Sequence, residues 1–564
     1  MAKWVVTSAW PYSSDVPHLG NLIGSVLSAD VIARFLRMNG HSVIMVSGSD
    51  EHGTPVEIEA LRRNIPVREF ADRNHRLISE LFKRWDISFD NYTRTESPVH
   101  IKFVQDHYRR IYENGYIFTK DEYIHYCPND KKFLPDRFVE GTCPYCHAIG
   151  ARGDQCESCG KPLEAELLIN PYCTICHGPT EIRKTKQWFF DLPKLSDQIK
   201  HYILNNKYLS ENVVRFSLSW IEEGLKPRSI TRDTSWGIPA PFEGAEGKTI
   251  YVWMEAVLGY VSAVIEYFKN RGEEERWKDY WLDPDTKTAF FIGKDNIPFH
   301  SVIFTGLLLA SKQNYTLPTV ISSTEFLQFE GKKFSKSKRI GIWIDEALEL
   351  LPADYWRYTL LSIRPESGDV NFTYDLLEEK VNSELNDKIG NFVQRTLSAI
   401  KRFMNGEIPY RPEIGEEGKK EIETICETHN KITQSYESFE IQKAVKLTLS
   451  QAEEGNRYLN ATEPWRLFQT DRKAGEAALY IAARIVKALG VELYPIMPNT
   501  SIKILQFLNL EVKDHIPKWS DAVSDFSFPV KIVDFKPLFT KIKKEEIINR
   551  LNEIRSMGER SGGR

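Results

Sequence analysis

The chain has 564 residues, more than a single hydrophobic core accommodates, so roughly three or four domains are expected. An apolar fraction of 41% and an aromatic fraction of 12% are typical of a soluble globular protein. The net charge of −4 excludes a strongly basic chain that binds nucleic acid through its overall field, so any RNA contact needs a local basic surface. Apolar runs such as Ile303 to Ala310 are too short to cross a bilayer, and no charged leader precedes the first residues. We therefore expect a cytoplasmic protein without membrane contact.

The first elements along the chain predict a parallel sheet. Four short segments rich in apolar and β-branched residues have the pattern of strands, at 3–8, 42–48, 289–292 and 318–322. Between the first two, apolar residues recur with helical spacing from about Leu19 to Met38. A strand, a helix and a second strand with a short first connection are typical of parallel α/β sheets. We therefore predict one such sheet, interrupted by a long insertion.

Three other segments differ in character from this sheet. The insertion runs from about 117 to 220 and contains most of the cysteines. From about Leu376 to Leu493 the apolar spacing is helical and glycine and proline are sparse, which predicts a helical bundle. Residues 541–564 carry seven Lys or Arg and four Glu, which predicts a charged helix that fades into a disordered end.

The cysteine pattern indicates bound metal. Seven of the eight cysteines lie between Cys127 and Cys176, and only Cys426 stands apart. Disulfides of a large secreted protein would be scattered, whereas a tight cluster with two-residue spacings favours a metal site. Four thiolates on two tight turns suit tetrahedral Zn²⁺. These thiolates belong to Cys143, Cys146, Cys156 and Cys159. A redox pair is the alternative, and two Cys-x-x-Cys pairs so close together disfavour it.

The remaining cysteines of the cluster predict a second zinc site. Cys173 and Cys176 form a full Cys-x-x-Cys pair, and Cys127 begins half of one. The fourth ligand is either Asp130, which stands where a second thiolate would be, or His177. Closed ligand shells leave no open position for substrate, so we expect both metals to be structural.

The first candidate phosphate site lies where the first strand passes into the first helix. His18, Gly20 and Asn21 fall at the helix N-terminus, where free N–H groups and the helix dipole favour an anion. Gly20 permits close approach of a ligand, and His18 can donate to a phosphate oxygen as charge develops. Taken alone, these residues favour a capped helix with a surface histidine.

The second candidate phosphate site is the segment 331–338, which packs four lysines with a glycine and two serines. Such a loop can fold over a triphosphate, and Lys333 and Lys336 could neutralise charge as pyrophosphate leaves. Taken alone, the segment favours a solvated basic turn or a contact to a nucleic-acid backbone.

Together the two segments resemble the motifs of class I aminoacyl-tRNA synthetases, His-Ile-Gly-His and Lys-Met-Ser-Lys-Ser. Asn21 replaces the last histidine of the first motif, so it can donate a hydrogen bond but carries no charge. Phe334 replaces the methionine of the second motif. Between the two motifs lie Asp-Glu-His-Gly-Thr-Pro at 50–55, Tyr-Val-Trp-Met-Glu-Ala at 251–256 and Gly-Tyr at 259–260. These segments resemble the methionyl-tRNA synthetase family, and the cysteine pattern resembles its archaeal type with two zinc knuckles. An insertion of about a hundred residues leaves no room for the proofreading domain of leucine, isoleucine or valine enzymes.

This resemblance implies an α/β fold with a Rossmann-like parallel-sheet catalytic domain, split by a zinc-binding insertion and followed by an α-helical bundle. The catalytic domain would comprise 1–116 and 218–325, around the insertion 117–217. The implied remaining segments are the stem-contact region 326–375, the anticodon-binding bundle 376–540 and the charged tail 541–564.

The resemblance also implies the substrates. The enzyme would use ATP with Mg²⁺ to convert L-methionine to methionyl-adenylate and would transfer the methionyl group to tRNA(Met). Asp50, in Asp-Glu-His-Gly-Thr-Pro after the second strand, would pair with the methionine ammonium group. The residues expected to enclose the thioether are Tyr12, Trp253, Ala256, Tyr260 and His300. Without the resemblance, core packing is the better explanation of this aromatic segment.

Further residues would bind ATP and the anticodon. By resemblance, Gly293 and Asp295 join His18, Gly20, Asn21 and Lys336 around ATP, and Arg232 faces the carboxylate side of the adenylate. Asn391, Arg395 and Trp465 would read the anticodon by hydrogen bonds and stacking, although alone they are ordinary surface or core residues. The additional dimerising tRNA-binding domain of some relatives is missing, so we expect a monomer, to which a separate protein could add tRNA affinity.

Two other functions stay open at this point. One is a synthetase for another small amino acid such as cysteine, in which zinc binds the substrate. The other is a non-catalytic, zinc-bearing RNA-binding protein on the same scaffold.

Overall fold

The structure is a computed structural model of the chain. It describes residues 1–134, 138–153, 156, 158–159, 163, 165–335, 339–512 and 516–560. Lys336, which the sequence places in the second phosphate site, lies outside these residues, as does the predicted disordered end at 561–564.

A five-stranded parallel sheet forms the centre of the N-terminal half. In spatial order its strands are Val320–Thr324, Lys287–Gly293, Lys3–Ser8, Ser42–Ser49 and Asn91–Arg94. Four of them confirm the predicted strands. The strand Asn91–Arg94 was missed because only one of its four side chains is buried, so it has no apolar pattern. The chain proceeds to opposite sides of Lys3–Ser8, and ligands of open α/β sheets bind at the carboxyl ends of the strands at such a point.

The predicted helix Leu19–Met38 is helical throughout but contains a π-helical turn at Leu22–Val26. The stretch is long and apolar enough for a membrane span, and it exceeds the apolar runs considered from the sequence. However, 83% of its most apolar window is buried inside the protein. It is therefore the central helix of the sheet's core.

Several further helices cover the two faces of the sheet and lead to the site. They are Thr54–Arg62, Val67–Arg84, Pro98–Glu113, Val252–Ala256, Gly259–Lys269, Lys278–Trp281, the π-helical Phe299–Phe304, and Thr305–Ala310. Their apolar faces and those of the sheet form two buried clusters, one of which continues into the helical bundle.

The insertion is built on a long antiparallel ribbon. Its strands Ile117–Cys127 and Glu181–Phe190 pair along their length, flanked by Lys132–Phe133 and Arg228–Ser229. Ile117 and Phe190, at the base, are buried in the core beside the sheet, whereas Cys127, at the other end, belongs to a separate small cluster. A three-stranded sheet of Val139–Thr142, Ile149–Arg152 and Ile169–Cys173 completes the outer part. Two helices, Ser196–Asn205 and Glu211–Glu222, and the strand pair Thr231–Arg232 and Thr249–Ile250 lead back to the sheet.

The rest of the chain is mainly helical, and the helical bundle predicted from about Leu376 to Leu493 is confirmed. The strands Leu327–Phe329 and Val370–Phe372 pair around the helices Ile344–Leu350 and Ala353–Ser362. The helices of the bundle are Tyr374–Glu379, the π-helical Lys380–Gly390, Asn391–Phe403, Glu416–Glu437, Ile441–Thr462, Pro464–Thr470, Arg472–Glu492 and Pro498–Phe507. Two short strands, Glu407–Ile408 and Val530–Lys531, form an antiparallel pair. The last element of the chain is the helix Lys544–Arg560.

A buried arginine joins the sheet to the helical part. Arg357 is fully buried, and its Nη2 donates to Oδ2 of Asp30 at 2.6 Å while its Nε donates to the Ile496 carbonyl at 2.8 Å. Burial alone would raise the pKa of Asp30, but Arg34 and Arg357 hold it below its ordinary value. A buried charge is stable only when it is paired in this way, so the contact holds the central helix against the bundle.

Candidate active site

The predicted substrate residues lie at the carboxyl ends of neighbouring strands. After the strand Lys3–Ser8, the chain turns so that Tyr12 bridges to Asp50, which follows the strand Ser42–Ser49. The Asp50 amide donates to the Pro11 carbonyl at 2.9 Å. The two strand ends are therefore held together by backbone hydrogen bonds beneath the site.

Asp50 is a buried carboxyl group with an unused acceptor. Its side chain is buried, and Oδ1 has no hydrogen-bond partner among the described residues. Burial and the nearby charge of Glu255 raise the pKa of Asp50 well above its ordinary value, although His52 opposes this shift. Because a buried unpaired acceptor is unfavourable, this oxygen is suited to a bound cationic group.

The aromatic residues predicted for the thioether pocket form a connected group. The Trp253 indole N–H donates to the Tyr12 hydroxyl, and the Trp253 ring meets Phe299 edge to face at 4.5 Å between centroids. Trp253 and Ala256 share one short helix. The structure therefore brings these residues together at the carboxyl end of the sheet.

His300 and Tyr260 close the buried side of this group. The Tyr260 hydroxyl and His300 Nε2 are 2.8 Å apart, and His300 Nδ1 lies 2.9 Å from the Asn296 carbonyl. Burial lowers the pKa of His300 to about 4, so the ring is neutral near pH 7. Since the carbonyl can only accept, Nδ1 carries the proton and Nε2 accepts from Tyr260.

The first motif has a defined internal geometry. His18 Nδ1 accepts from the Asn21 amide at 3.2 Å, and Asn21 Oδ1 accepts from the His18 amide at 3.1 Å. Burial lowers the pKa of His18 to about 4, so its neutral ring carries the proton on Nε2, where it can donate to a phosphate. A side chain at Gly20 would begin 3.1 Å from the His18 ring, which explains the glycine.

The second motif packs on the first. Phe334 stacks on the His18 ring, with 4.3 Å between centroids and 14° between planes. Ser335 and Ile340 exchange backbone hydrogen bonds of 2.9 Å across the base of the loop. Lys333 is exposed beside it. The phenylalanine that departs from the general motif is thus a packing contact between the two phosphate segments.

The other predicted ATP residues lie near the end of the strand Lys287–Gly293. Gly293 faces open space, and the exposed Asp295 follows in a short helical turn. Arg232 lies in the strand Thr231–Arg232 with its guanidinium 4.0 Å from the centre of the Tyr251 ring. Gly293 and Asp295 therefore lie at a strand end where a nucleotide could bind. Arg232 instead contacts the ring of Tyr251, the residue before the short helix of Trp253 and Ala256.

A buried ionic network beneath the pocket escaped the sequence analysis. His52 Nδ1 is hydrogen-bonded to Glu255, and its Nε2 lies 2.8 Å from Oε1 of Glu96. Burial alone would lower the pKa of His52, but the two carboxylates raise it to about 10. Arg94 similarly binds Glu51 at 2.7 Å. Three consecutive ionisable residues directly after a buried strand were the available signal.

The cysteines form two compact ligand clusters. In the first, Cys143, Cys146, Cys156 and Cys159 have sulfur atoms within 4.8 Å of one another. In the second, the clustered residues are Cys127, Asp130, Cys173 and Cys176. Asp130 Oδ2 lies 3.2 Å from the Cys127 sulfur and 3.1 Å from the Cys173 sulfur, whereas His177 is not part of this cluster. Both clusters can hold a metal ion, and thiolate-rich sets of four ligands are those that zinc prefers.

The residues predicted to read the anticodon also lie together. Asn391 and Arg395 are one turn apart on the helix Asn391–Phe403, and the Arg395 guanidinium lies 5.6 Å from the centre of the Trp465 ring. Arg395 Nη2 also donates to Asn460 at 2.7 Å. Arginine over an indole with a neighbouring amide is a surface on which an unpaired base can stack.

Comparisons with known proteins identify the family. A family described as tRNA synthetases class I (M) matches residues 4–397, and the anticodon binding domain of methionyl tRNA ligase matches residues 408–557. The methionine–tRNA ligase of Thermofilum pendens is 51% identical over 559 residues, which are 98% of each chain. That of Korarchaeum cryptofilum is 51% identical over 99% of each chain. The chain belongs to the methionyl-tRNA synthetase family.

A solved structure agrees with this assignment at the level of the fold. The Mycobacterium tuberculosis methionyl-tRNA synthetase in complex with methionyl-adenylate is 23% identical, with a TM-score of 0.79, and the match covers 96% of this chain and all of the other. The predicted Rossmann-like class I fold and the methionine–tRNA ligase activity are therefore confirmed. The two alternatives, a cysteine enzyme and a non-catalytic RNA-binding protein, are set aside.

Proposed function

We propose that this ligase activates L-methionine in the pocket beside Asp50 and transfers the methionyl group to tRNA(Met). The observation that carries the assignment of the pocket is the buried Oδ1 of Asp50, which lacks a hydrogen-bond partner in the part of the chain that the structure describes, beside the Tyr12 and Trp253 contact. The ammonium group would bind this oxygen, and the aromatic rings would contact the thioether, an interaction of about 0.3–1.5 kcal/mol. Neutral His300 would keep the Tyr260 ring in place.

In the first step, a methionine carboxylate oxygen attacks the α-phosphorus of ATP. The bond from that phosphorus to the bridging oxygen breaks, and pyrophosphate leaves with its electron pair. His18 Nε2–H and the side-chain Nδ2–H of Asn21 would donate to phosphate oxygens, and Lys333 and Lys336 would neutralise the departing charge. Gly20, Gly293 and Asp295 would shape the nucleotide site. Mg²⁺, when bound with ATP, would supply further neutralisation of the phosphates.

In the second step, the 2′-hydroxyl of the terminal adenosine attacks the methionyl carbonyl carbon. The bond between the carbonyl carbon and the phosphate oxygen breaks, and AMP leaves with its electron pair. The attacking hydroxyl oxygen gives up its proton as the ester forms. Asn391, Arg395 and Trp465 would bind anticodon bases far from this reaction. The boundaries predicted from the sequence assign these roles to the bundle at 376–540 and the two catalytic halves at 1–116 and 218–325.

The test of the catalytic assignment is ATP–pyrophosphate exchange with each amino acid in turn. Exchange should depend on methionine and should fall about a hundredfold or more in Lys336→Ala, because removal of a group that stabilises developing charge has this effect. Lys269→Ala changes an exposed lysine at a helix end and is the matched control. Unchanged exchange in Lys336→Ala would contradict our role for the second loop.

We propose that both cysteine clusters bind structural Zn²⁺ and that Asp130 completes the second. Its carboxylate can replace a thiolate, since zinc also accepts oxygen ligands at about 2.0–2.2 Å. Purified protein should contain two zinc ions per chain by elemental analysis. Asp130→Ala should retain one, because three thiolates without a fourth protein ligand bind zinc less tightly.

Two further variants separate the alternatives for the second site. His177→Ala should retain both ions, and so should Cys426→Ser, which alters a cysteine outside the clusters. Loss of one ion in His177→Ala together with full occupancy in Asp130→Ala would assign the fourth ligand to His177 instead. A monomeric state, a cytoplasmic location and a separate partner for tRNA stay predictions, the first testable by light scattering.

A further inference from the structure

The C-terminal helix Lys544–Arg560 packs against the segment that follows the second phosphate loop. The sequence predicted only a charged helix there, yet Ile547 and Leu551 are buried in the main hydrophobic core. At its beginning, the Lys544 amide donates to Oε2 of Glu378 at 3.1 Å. The helix is therefore packed in place along its length and not a solvated tail.

Near the other end of this helix, Arg555 binds the segment that follows the second phosphate loop. Its Nε and Nη2 each lie 2.8 Å from a different oxygen of Glu346, and Nη2 also donates to the Gly341 carbonyl at 2.6 Å. The guanidinium lies 5.7 Å from the centre of the Trp343 ring. The Arg555 side chain is only 19% exposed, so solvent screens this pair less than an ordinary surface pair.

The segment that Arg555 holds lies directly on the first phosphate motif. The Leu19 amide donates to the Ile342 carbonyl at 3.1 Å, and the Ile344 amide donates to the Pro17 carbonyl at 3.0 Å. These bonds run on both sides of His18, which bridges to Trp343. A shift of this segment would therefore move the return strand of the second loop relative to the first motif.

We propose that Arg555 is a positioning residue for ATP activation. Arg555 binds the Gly341 carbonyl and the Glu346 carboxylate, and it thereby fixes the position of the segment that follows the second loop. The inference rests on the proposed role of the second loop in neutralising the ATP phosphates. Catalysis that depends on placing charges is sensitive to displacement, and a misplacement of about 1 Å can reduce a rate a hundredfold.

The test compares Arg555→Ala with Arg550→Ala in methionine-dependent ATP–pyrophosphate exchange. Arg550 lies on the same helix and forms an exposed pair with Glu553, so it is the matched control. Arg555→Ala should lower kcat/KM for ATP at least about tenfold, while the KM for methionine stays within about twofold. Arg555→Lys keeps the charge but not the forked geometry and should recover part of the loss.

Glu346→Gln supplies an independent measurement if Arg555→Ala folds poorly. Its amide oxygen can still accept from the Trp343 amide, which donates to Oε2 at 3.1 Å in the wild type, so the start of the following helix is kept. Glu346→Gln should impair ATP use in the same way, and the double variant should be no worse than the poorer single one.

Several results would overturn the inference. One is an exchange rate in Arg555→Ala equal to that of the wild type. Another is an equal loss of kcat/KM for ATP and for methionine together with a lowered melting temperature. The third is that the effects of Arg555→Ala and Glu346→Gln add in the double variant. If wild-type protein itself lacks methionine-dependent exchange, the proposed function fails first. If the wild type shows normal exchange and Arg555→Ala is unaffected, only the positioning role of Arg555 is rejected.

Discussion

Asp50→Asn should nearly abolish methionine activation while leaving the fold intact. The substitution keeps the shape of the side chain but removes the negative charge that would pair with the ammonium group in the proposed methionine site. Leaving one partner of a buried charge pair without its counterpart is unfavourable by about 3–5 kcal/mol. This corresponds to a loss of roughly two to four orders of magnitude in kcat/KM for methionine, measured by ATP–pyrophosphate exchange. The KM for ATP should change far less.

The raised pKa of Asp50 adds a second measurement. Burial and Glu255 favour the protonated carboxyl in the free enzyme, whereas a bound ammonium group favours the carboxylate. Methionine binding should therefore lower the pKa of Asp50. At a pH between the pKa values of the free and bound states it should release a proton, seen by calorimetry in buffers of different ionisation enthalpy. The release should be absent in Asp50→Asn.

Asp534→Asn, which changes a fully exposed carboxylate, is the control for both measurements. Normal methionine kinetics in Asp50→Asn would show that another group binds the ammonium.

His52→Gln should destabilise the catalytic half most strongly at neutral and mildly acidic pH. The protonated imidazole stands between Glu96 and Glu255, both of which are buried beside it. Replacing it leaves Glu255 without its cation and leaves Glu96 paired with the largely exposed Arg68, which should reduce the free energy of unfolding by about 3 kcal/mol. Differential scanning fluorimetry should show a clearly lower Tm, accompanied by a higher KM for methionine because Asp50 lies two residues away.

The pH dependence of this difference follows from the direction of the shift. The pKa of His52 is about 10 in the folded protein, above the ordinary value of 6.5. Its stabilising contribution is therefore complete below pH 6.5 and is lost as the pH rises toward 10. The Tm difference between the wild type and His52→Gln should be large near pH 6.5 and should shrink toward pH 10.

His201→Gln, on the exposed side of the helix Ser196–Asn205, is the matched control and should melt like the wild type at every pH. A Tm difference between the wild type and His52→Gln that stays constant from pH 6.5 to 10 would contradict a charged His52.

Local patterns carried much of the prediction. The strands at 3–8 and 42–48 could be recognised as short apolar and β-branched runs, because strands inside a parallel sheet are buried on both faces. The long first helix could be recognised from the helical spacing of its apolar residues. The Cys-x-x-Cys spacing predicted the first cluster because two turns must supply four neighbouring sulfurs. The two phosphate motifs, weak individually, gained meaning from their resemblance to one family.

Other features depended on residues that are distant along the chain. His52 meets Glu255, which is 203 residues away, and no periodicity connects them. The choice of Asp130 over His177 depends on how the ribbon folds back, since both residues are close to cysteines in the sequence. The strand Asn91–Arg94 has no apolar pattern because its pairing with a neighbour, and not its composition, makes it a strand.

By itself, the sequence determined the parallel sheet, the cysteine-rich insertion, the helical bundle and the family to which the enzyme belongs. Only the tertiary structure showed the partners of the buried charges, the grouping of Asp130 rather than His177 with three cysteines, and the packing of the helix Lys544–Arg560 against the segment that follows the second loop. The reason is physical. Periodicity and motif spacing are properties of neighbouring residues, whereas the pairing of a buried charge is fixed only when packing brings distant segments together.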